Sequence, residues 1–124
     1  MPWNYVIDTK RRLIVSTGWG RLTFAEVNTH DEQLERDPDF DPSFKQIIDM
    51  TGITAFDVST IEAKKLASRA SFSAKSRRAL VASSPDVYGM GRLMEAYHEM
   101  AGGREETRIF YDRDEAMQWL GVKE

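Results

Sequence analysis

Two histidines and a set of serines are the residues of this chain most able to do chemistry. His30 and His98 lie far apart in the sequence, and neither belongs to the H-x-x-x-H or H-E-x-x-H spacing that places two imidazoles on one zinc ion. The chain has no cysteine, which removes thiolate metal sites, iron–sulfur clusters and disulfides. We therefore predict no metal site and no cofactor.

The serines also lack the setting of a hydrolase nucleophile. None lies in a G-x-S-x-G elbow, and neither histidine has an evident partner to orient its ring. Asp37 and Asp39 lie beside prolines in a polar segment, where nothing sets one carboxyl apart as an acid. Gly89 and Gly91 are followed by Met94 where a dinucleotide loop has its third glycine, so helix packing is the favoured role of these glycines. The sequence predicts a protein that is not an enzyme.

The length and composition predict one domain over residues 1–124. Apolar residues make up 41% and charged residues 30% of the 124 residues, as in an ordinary globular domain. The formal net charge of −3 does not favour nucleic acid as a partner. The chain begins without the pattern of a signal peptide and has no apolar run of the roughly 18 residues that a membrane helix needs. We therefore expect a cytoplasmic protein with no integral membrane segment.

Charge is unevenly distributed along the chain. Residues 26–41 are rich in acidic side chains, and residues 61–80 are rich in basic ones. These segments are interpreted either as two solvated helix faces that lie near each other or as a charged surface that steers a partner. Asp31 projects into the apolar stripe of its helix at helical spacing, and we expect it to pair with an arginine.

Alternating apolar runs and capping signals predict the order β-β-α-β-α-β-α-β-α. The strands are predicted at residues 5–7, 13–15, 44–50, 79–82 and 107–111, with glycines at 18 and 20 ending the second. Helices are predicted to begin at the capping residues Thr23, Ser59 and Asp112 and at Pro85. This pattern indicates an α/β fold with a mostly parallel sheet and an N-terminal antiparallel hairpin.

The two middle helices differ in their apolar faces. The second carries a narrow stripe of small residues at helical spacing, extending to Ala70 and Ala74, which suits close packing on a sheet. The third has a broad apolar face that includes Met90, Met94 and Met100. Methionine side chains adapt to varied ligands, so the third helix is a candidate wall of a pocket.

Several segments resemble the STAS domains, which include the anti-sigma-factor antagonists. Residues 49–59 (DMTGITAFDVS) are similar to the central stretch of that family, and residues 20–23 (GRLT) lead into a helix as they do there. A closer resemblance is to small bacterial SpoIIAA-like, or STAS/SEC14-like, proteins of uncharacterised role. It rests on residues 88–94 (YGMGRLM) and 109–120 (IFYDRDEAMQWL) and spans nearly the whole chain.

The resemblance implies a SpoIIAA/STAS-like fold and a regulatory module that binds a protein. Anti-sigma-factor antagonists are switched by phosphorylation of the serine directly after the helix-start aspartate. That position here is Val58, which cannot be phosphorylated, so the switch does not carry over. Ser59 and Thr60 are left as candidates for a phospho-acceptor or anion site at a helix N-terminus, with a plain N-cap role as the alternative.

Two hypotheses of function stay open. The first is a non-enzymatic regulatory module that binds a protein partner, or a second copy of itself as a homodimer, through the second helix and the loop predicted at residues 51–60. The second is a small-molecule or lipid-binding module with an apolar pocket under the third helix. An exposed Ile61 and Phe72 over a filled core favours the first, and a cavity favours the second. The candidate residues of the partner or ligand surface are Thr51, Asp57, Ile61, Phe72, Tyr88 and Arg92.

Overall fold

The computed structural model describes residues 3–122. Its element order is the predicted β-β-α-β-α-β-α-β-α. The bounds of the described elements are β1 (Trp3–Asp8), β2 (Leu13–Thr23), α1 (Phe24–Arg36), β3 (Lys45–Asp57), α2 (Thr60–Ala67), β4 (Arg77–Val81), α3 (Pro85–Met100), β5 (Glu106–Phe110) and α4 (Arg113–Leu120).

The five strands form one sheet in the order β1-β2-β3-β4-β5. β1 and β2 pair antiparallel as a hairpin, and the other neighbours pair parallel. Each parallel connection passes through a helix, as such connections require. The predicted α/β fold with an antiparallel hairpin at one edge of a mostly parallel sheet is confirmed.

Two strands are longer than the sequence predicts. β2 continues through Gly18 and Gly20, which cause shifts in register and do not end the strand. Gly18 packs against Trp3, because a Cβ atom there would lie 2.7 Å from the indole ring. β3 extends to Asp57 alongside this second half of β2, so most of residues 51–60 is strand and not the predicted loop.

The helix starts follow their capping signals. Thr23, Ser59 and Asp112 each accept a backbone N–H of the first turn, as predicted, and Ser84 does so immediately before Pro85. Ser59 and Glu62 form a complete capping box.

The second helix is shorter than predicted, because α2 ends at Ala67 and not beyond Ala74. The chain then turns back, and Phe72 packs edge-on against Phe40 and beneath the guanidinium of Arg78. Phe72 is only 3% exposed, so the prediction of an exposed Phe72 is wrong. Its burial with neighbouring apolar side chains of α1 and β2 outweighs the helical spacing of the segment.

Helices cover the two faces of the sheet unequally. α1 and α3 pack on one face, and α2 packs between them. α4 covers the other face, where Ala116, Met117 and Leu120 bury the apolar centres of β3 and β4. Across residues 3–122, no helix is long and apolar enough to cross a membrane.

Candidate functional site

A cavity lies between the sheet and the three helices α1, α2 and α3. Its volume is about 110 Å³, and its wall is mainly apolar. Met90 and Met94 of α3 line it, together with Leu66 and Ala67 of α2. The sequence-based hypothesis of a pocket under the third helix therefore matches a space that the fold contains.

The positions of the helices explain why space remains there. At Gly91 the absent side chain lets α3 lie close on β5, since a Cβ atom would come within 2.5 Å of Ile109 Cδ1. α1 packs on β1 and β2, at the other edge of the sheet from β5. The short α2 bridges the two outer helices, and its Leu66 and Ala67 face the cavity. The small residues predicted to lie directly on the sheet thus help to leave a space above it.

Polar side chains interrupt the apolar wall at a few places. His30 is buried in the wall, where its Nδ1 lies 2.9 Å from Asp31 Oδ1 and its Nε2 lies 3.0 Å from Ser16 Oγ. The side-chain amide of Gln46 donates to the same Ser16 oxygen over 2.9 Å. The Ser16 hydroxyl can donate one hydrogen bond and accept two, so it contacts both the Gln46 amide and His30 Nε2, while His30 Nδ1 faces the Asp31 carboxylate. His30 is therefore held in a fixed orientation by contacts on both ring nitrogens.

This arrangement has the same order of groups as a Ser-His-Asp triad. Each histidine has a partner that orients it, so the expectation that neither has one is wrong. The Ser16 side chain is fully buried, however, and Ser16 is not part of the cavity wall. In this geometry the serine orients His30 and presents no nucleophile to a molecule in the cavity.

His98 lies in the same wall and is held differently. Its Nδ1 lies 3.0 Å from the carbonyl oxygen of Ala67, and its Nε2 lies 2.9 Å from the carbonyl oxygen of Glu105. The Glu105 carboxylate is also 3.0 Å from Nε2. Both ring nitrogens of His98 therefore face oxygen atoms, which fix the orientation of the ring. His98 and Glu105 are thus in direct contact, and both are buried.

Arg78 connects the two histidine clusters. Its Nε donates to Gln46 Oε1 over 2.8 Å, which also fixes the orientation of that amide. Its terminal Nη1 is 3.7 Å from a carboxylate oxygen of Glu105, beyond hydrogen-bond distance. A continuous series of polar contacts therefore crosses the sheet from α1 through β2, β3 and β4 to the segment before β5.

Two further polar atoms at the cavity have unused hydrogen-bonding capacity. Within residues 3–122, the buried indole nitrogen of Trp3 and the buried hydroxyl oxygen of Thr107 have no hydrogen-bond partner. Both residues line the cavity. Buried polar groups are normally paired, so these two atoms mark positions where a bound molecule or water would complete the structure.

The predicted pairing of Asp31 with an arginine is confirmed. Arg69 Nε lies 4.0 Å from Asp31 Oδ2 and donates to Glu35 Oε1 over 3.0 Å. These contacts join the acidic first helix to the basic segment after α2. The two charged segments therefore lie near each other at this point, although Arg69 follows the end of α2 and is not on a helix face.

Comparison with known proteins supports the fold. A solved structure of an uncharacterized protein from the DUF3478 family with a SpoIIAA-like fold, from Shewanella loihica PV-4, matches 95% of this chain and 93% of its own, with a TM-score of 0.62 and 17% sequence identity. The chain has a SpoIIAA-like fold. At this identity the likeness concerns the fold alone. No protein-family model and no curated protein sequence matches the chain.

On this SpoIIAA-like fold, Ser59 and Thr60 lie at the exposed start of α2. The Ser59 hydroxyl accepts the backbone N–H of Glu62 over 3.1 Å, and the Glu62 carboxylate accepts the Ser59 N–H over 2.9 Å. The cap is thus complete without an added anion, as in the N-cap alternative. Val58 packs against the core and lines the cavity, which places the residue that replaces the switch serine next to the candidate site.

The other predicted surface residues do not meet at one place. Thr51 bonds to Asp49, Asp57 lies 3.7 Å from Arg21, and Arg92 lies 4.0 Å from Glu95. Tyr88 stacks on Tyr111 with ring centres 4.1 Å apart.

Ile61 belongs to a second, shallower feature between α2 and α3, which we call the α2–α3 groove. It is an open groove of about 430 Å³ lined by Ile61, Lys64, Lys65, Ser68, Tyr97, Met100 and Ala101. Ile61 is 69% exposed and Met100 is 79% exposed.

Sequence reasoning did not identify the polar groups of the cavity. His30, His98 and Arg78 come from three separate elements, and only folding brings them together. One signal was present, because Asp31 interrupts the apolar stripe of α1 directly after His30. Among the described residues, no group of three potential ligands could hold a metal ion.

Proposed function

We propose that this chain is a non-enzymatic binding module that takes a small, largely apolar molecule into the cavity beneath α2 and α3. The observation that carries the proposal is the partly enclosed apolar space, whose wall contains two buried polar atoms without partners. Sites for small molecules have this composition, with a mainly apolar wall and a few polar groups that fix orientation.

The volume limits the size of the ligand. A space of about 110 Å³ is below the few hundred Å³ typical of drug-sized ligands. It is close to the cavity of roughly 150 Å³ that holds a benzene molecule in another protein. The ligand is therefore the size of a single ring or a short aliphatic chain. Met90 and Met94 can change rotamer to admit a somewhat longer chain, because the methionine side chain is unbranched and flexible.

The test is titration of the ¹⁵N-labelled protein with hexan-1-ol, followed by amide chemical shifts. We expect saturable changes at residues around Leu66 and Met94. Ala67→Leu narrows the cavity and should abolish them, whereas Ala96→Leu, on the exposed side of α3, should leave them unchanged. Shifts confined to the outer surface, or equal saturation in both variants, would contradict the proposal.

We infer a second candidate function from the α2–α3 groove, in keeping with the regulatory role that the STAS resemblance implies. Exposed Ile61 and Met100 flank Lys64 and Lys65. This combination suits a partner protein that presents an apolar side chain between carboxylates. A second copy of the chain is the other occupant to be distinguished.

Substitution of Ile61 separates these occupants. The native chain should form a chemical cross-link to a partner protein, and added salt should reduce its yield. Ile61→Asp should abolish this cross-link. Val6→Asp is the matched control, since Val6 is similarly exposed at 65% but lies on β1. If sedimentation shows that the native chain is a dimer and the Ile61→Asp variant is a monomer, the occupant of the groove is a second copy of the chain and not a different protein. Partner retention that is equal in both variants would refute the groove as a binding surface.

A further inference from the structure

Arg78 is the residue of the cavity wall with the largest unused capacity to bind a ligand. Its Nε is occupied by Gln46, and its guanidinium lies 4.8 Å from the centre of the Phe72 ring, so the group is fixed in place. Within the described part of the chain, its two terminal nitrogens donate no hydrogen bond to a protein group at normal distance. Those N–H groups are available at the cavity, which Arg78 lines.

Thr107 supplies a second donor beside the first. Arg78 and Thr107 are directly paired on the adjacent strands β4 and β5. Both residues line the cavity, and the Thr107 hydroxyl is one of the buried groups without a partner. A guanidinium edge and a hydroxyl thus lie side by side, which is an arrangement for oxygen atoms that accept hydrogen bonds.

Among the described residues, the neighbouring charged groups do not occupy the terminal N–H groups of Arg78. One carboxylate oxygen of Glu105 lies 3.7 Å from Arg78 Nη1, beyond hydrogen-bond distance, and the other lies 3.0 Å from His98 Nε2. On the other side, Asp31 lies 4.0 Å from Arg69, which donates to Glu35. His30 is held in place by Ser16 and Asp31. These contacts leave the terminal N–H groups of Arg78 without acceptors, and a carboxylate in the cavity would supply them.

We infer that the ligand of the cavity is a small carboxylic acid bound as its anion. This inference rests on the proposed binding of a small apolar molecule and names its chemical class. The planar guanidinium matches a carboxylate with two parallel N–H donors, and the Thr107 hydroxyl donates a third hydrogen bond. The apolar part of the acid extends toward Met90, Met94 and Leu66. Arg78 thereby selects the acid over an alcohol or hydrocarbon of the same length.

The test compares hexanoate with hexan-1-ol, which share an apolar chain and differ in the head group, by chemical-shift titration of the full chain. We expect hexanoate to bind the native protein at least about 10-fold more tightly, since charge-assisted hydrogen bonds contribute enough for that ratio. Arg78→Gln should remove the preference and retain hexanol binding. Thr107→Val, which preserves the shape of the side chain, should lower the affinity for hexanoate by about 3-fold or more. Arg92→Gln removes an exposed arginine outside the cavity and should leave the affinities for both ligands unchanged.

The outcomes separate this inference from the function on which it rests. Equal affinities for hexanoate and hexanol in the native protein overturn the inference and leave the apolar binding function intact. Failure of both probes to bind overturns the proposed function as well. If Arg78→Gln loses both ligands because the cavity collapses, the Thr107→Val variant is the deciding test. An unchanged preference for hexanoate over hexanol in Thr107→Val would then overturn the inference.

Discussion

Replacing Gly91 with alanine tests how closely α3 lies on the sheet. A Cβ atom at Gly91 would lie 2.5 Å from Ile109 Cδ1 and 3.1 Å from Ile109 Cβ. The second of these atoms is next to the backbone of β5, so a rotamer change of Ile109 cannot remove the whole overlap. Gly89 lies in the same helix, and an added Cβ there meets no atom within 4 Å. The two substitutions are therefore matched in chemistry and differ in packing.

The expected free energies of unfolding follow from two opposing effects. Alanine is more favourable than glycine inside a helix by up to about 1 kcal/mol, which both variants gain. Overpacking of a well-filled core costs about 1–3 kcal/mol, and this cost applies to Gly91→Ala alone. We expect Gly89→Ala to stabilise the protein by about 0.5–1 kcal/mol and Gly91→Ala to be neutral or to destabilise it by up to about 2 kcal/mol. The difference between the variants is thus about 1–3 kcal/mol.

Urea unfolding followed by circular dichroism measures this difference. Ile109→Val removes the nearest atom, Cδ1, so the cost of Gly91→Ala should be smaller in the Ile109→Val background, as a double-mutant cycle would show. If Gly91→Ala stabilised the protein as much as Gly89→Ala does, the close approach of α3 to β5 would be refuted. The account of how the cavity arises beneath α2 would then fail with it.

Three further predictions concern other local contacts. Gly103→Ala should destabilise the protein by about 1–3 kcal/mol in urea unfolding, because the new Cβ would lie 2.1 Å from Nε2 of the buried His98; a cost of zero would contradict this packing. Hydrogen bonds from Arg11 lower the pKa of Asp8, so the stability that Asp8 contributes is present above the ordinary aspartate pKa and is lost as pH falls through the lowered value. Arg11→Ala should therefore raise the Asp8 pKa in an NMR titration, and an unchanged pKa would contradict this cause. Ser59→Ala should cost about 1 kcal/mol through loss of the N-cap, whereas Ser59→Asp should retain it; equal loss in both variants would contradict the cap.

The features that the sequence predicts correctly are encoded by neighbouring residues. Thr23 and Ser59 bond to groups three positions along the chain, so their capping role is visible in the local pattern. The alternation of short apolar runs with helices determines the order of elements in the same way. The resemblance to SpoIIAA-like proteins is borne out at the level of fold, where the comparison structure agrees.

The features that the sequence could not predict depend on distant contacts. The helical spacing after Ala67 is overridden because Phe72 finds an aromatic partner in Phe40 and a cation in Arg78. β2 passes through Gly18 because Trp3, on the neighbouring strand, fills the space beside it. The cavity has no local signature at all, since its polar groups come from different helices and strands.

The polar contacts that join His30 to Arg78 also bear on how the sheet assembles. Gln46 lies directly opposite Arg78, and its amide reaches Ser16 on the other neighbouring strand. A slip of one residue would turn Gln46 to the face covered by α4 and leave the buried groups of its neighbours without partners. Each unpaired group costs on the order of 1–3 kcal/mol, whereas an all-apolar row would tolerate the slip more readily. The same contacts that line the cavity therefore also stabilise the native register of β2, β3 and β4 against a one-residue slip.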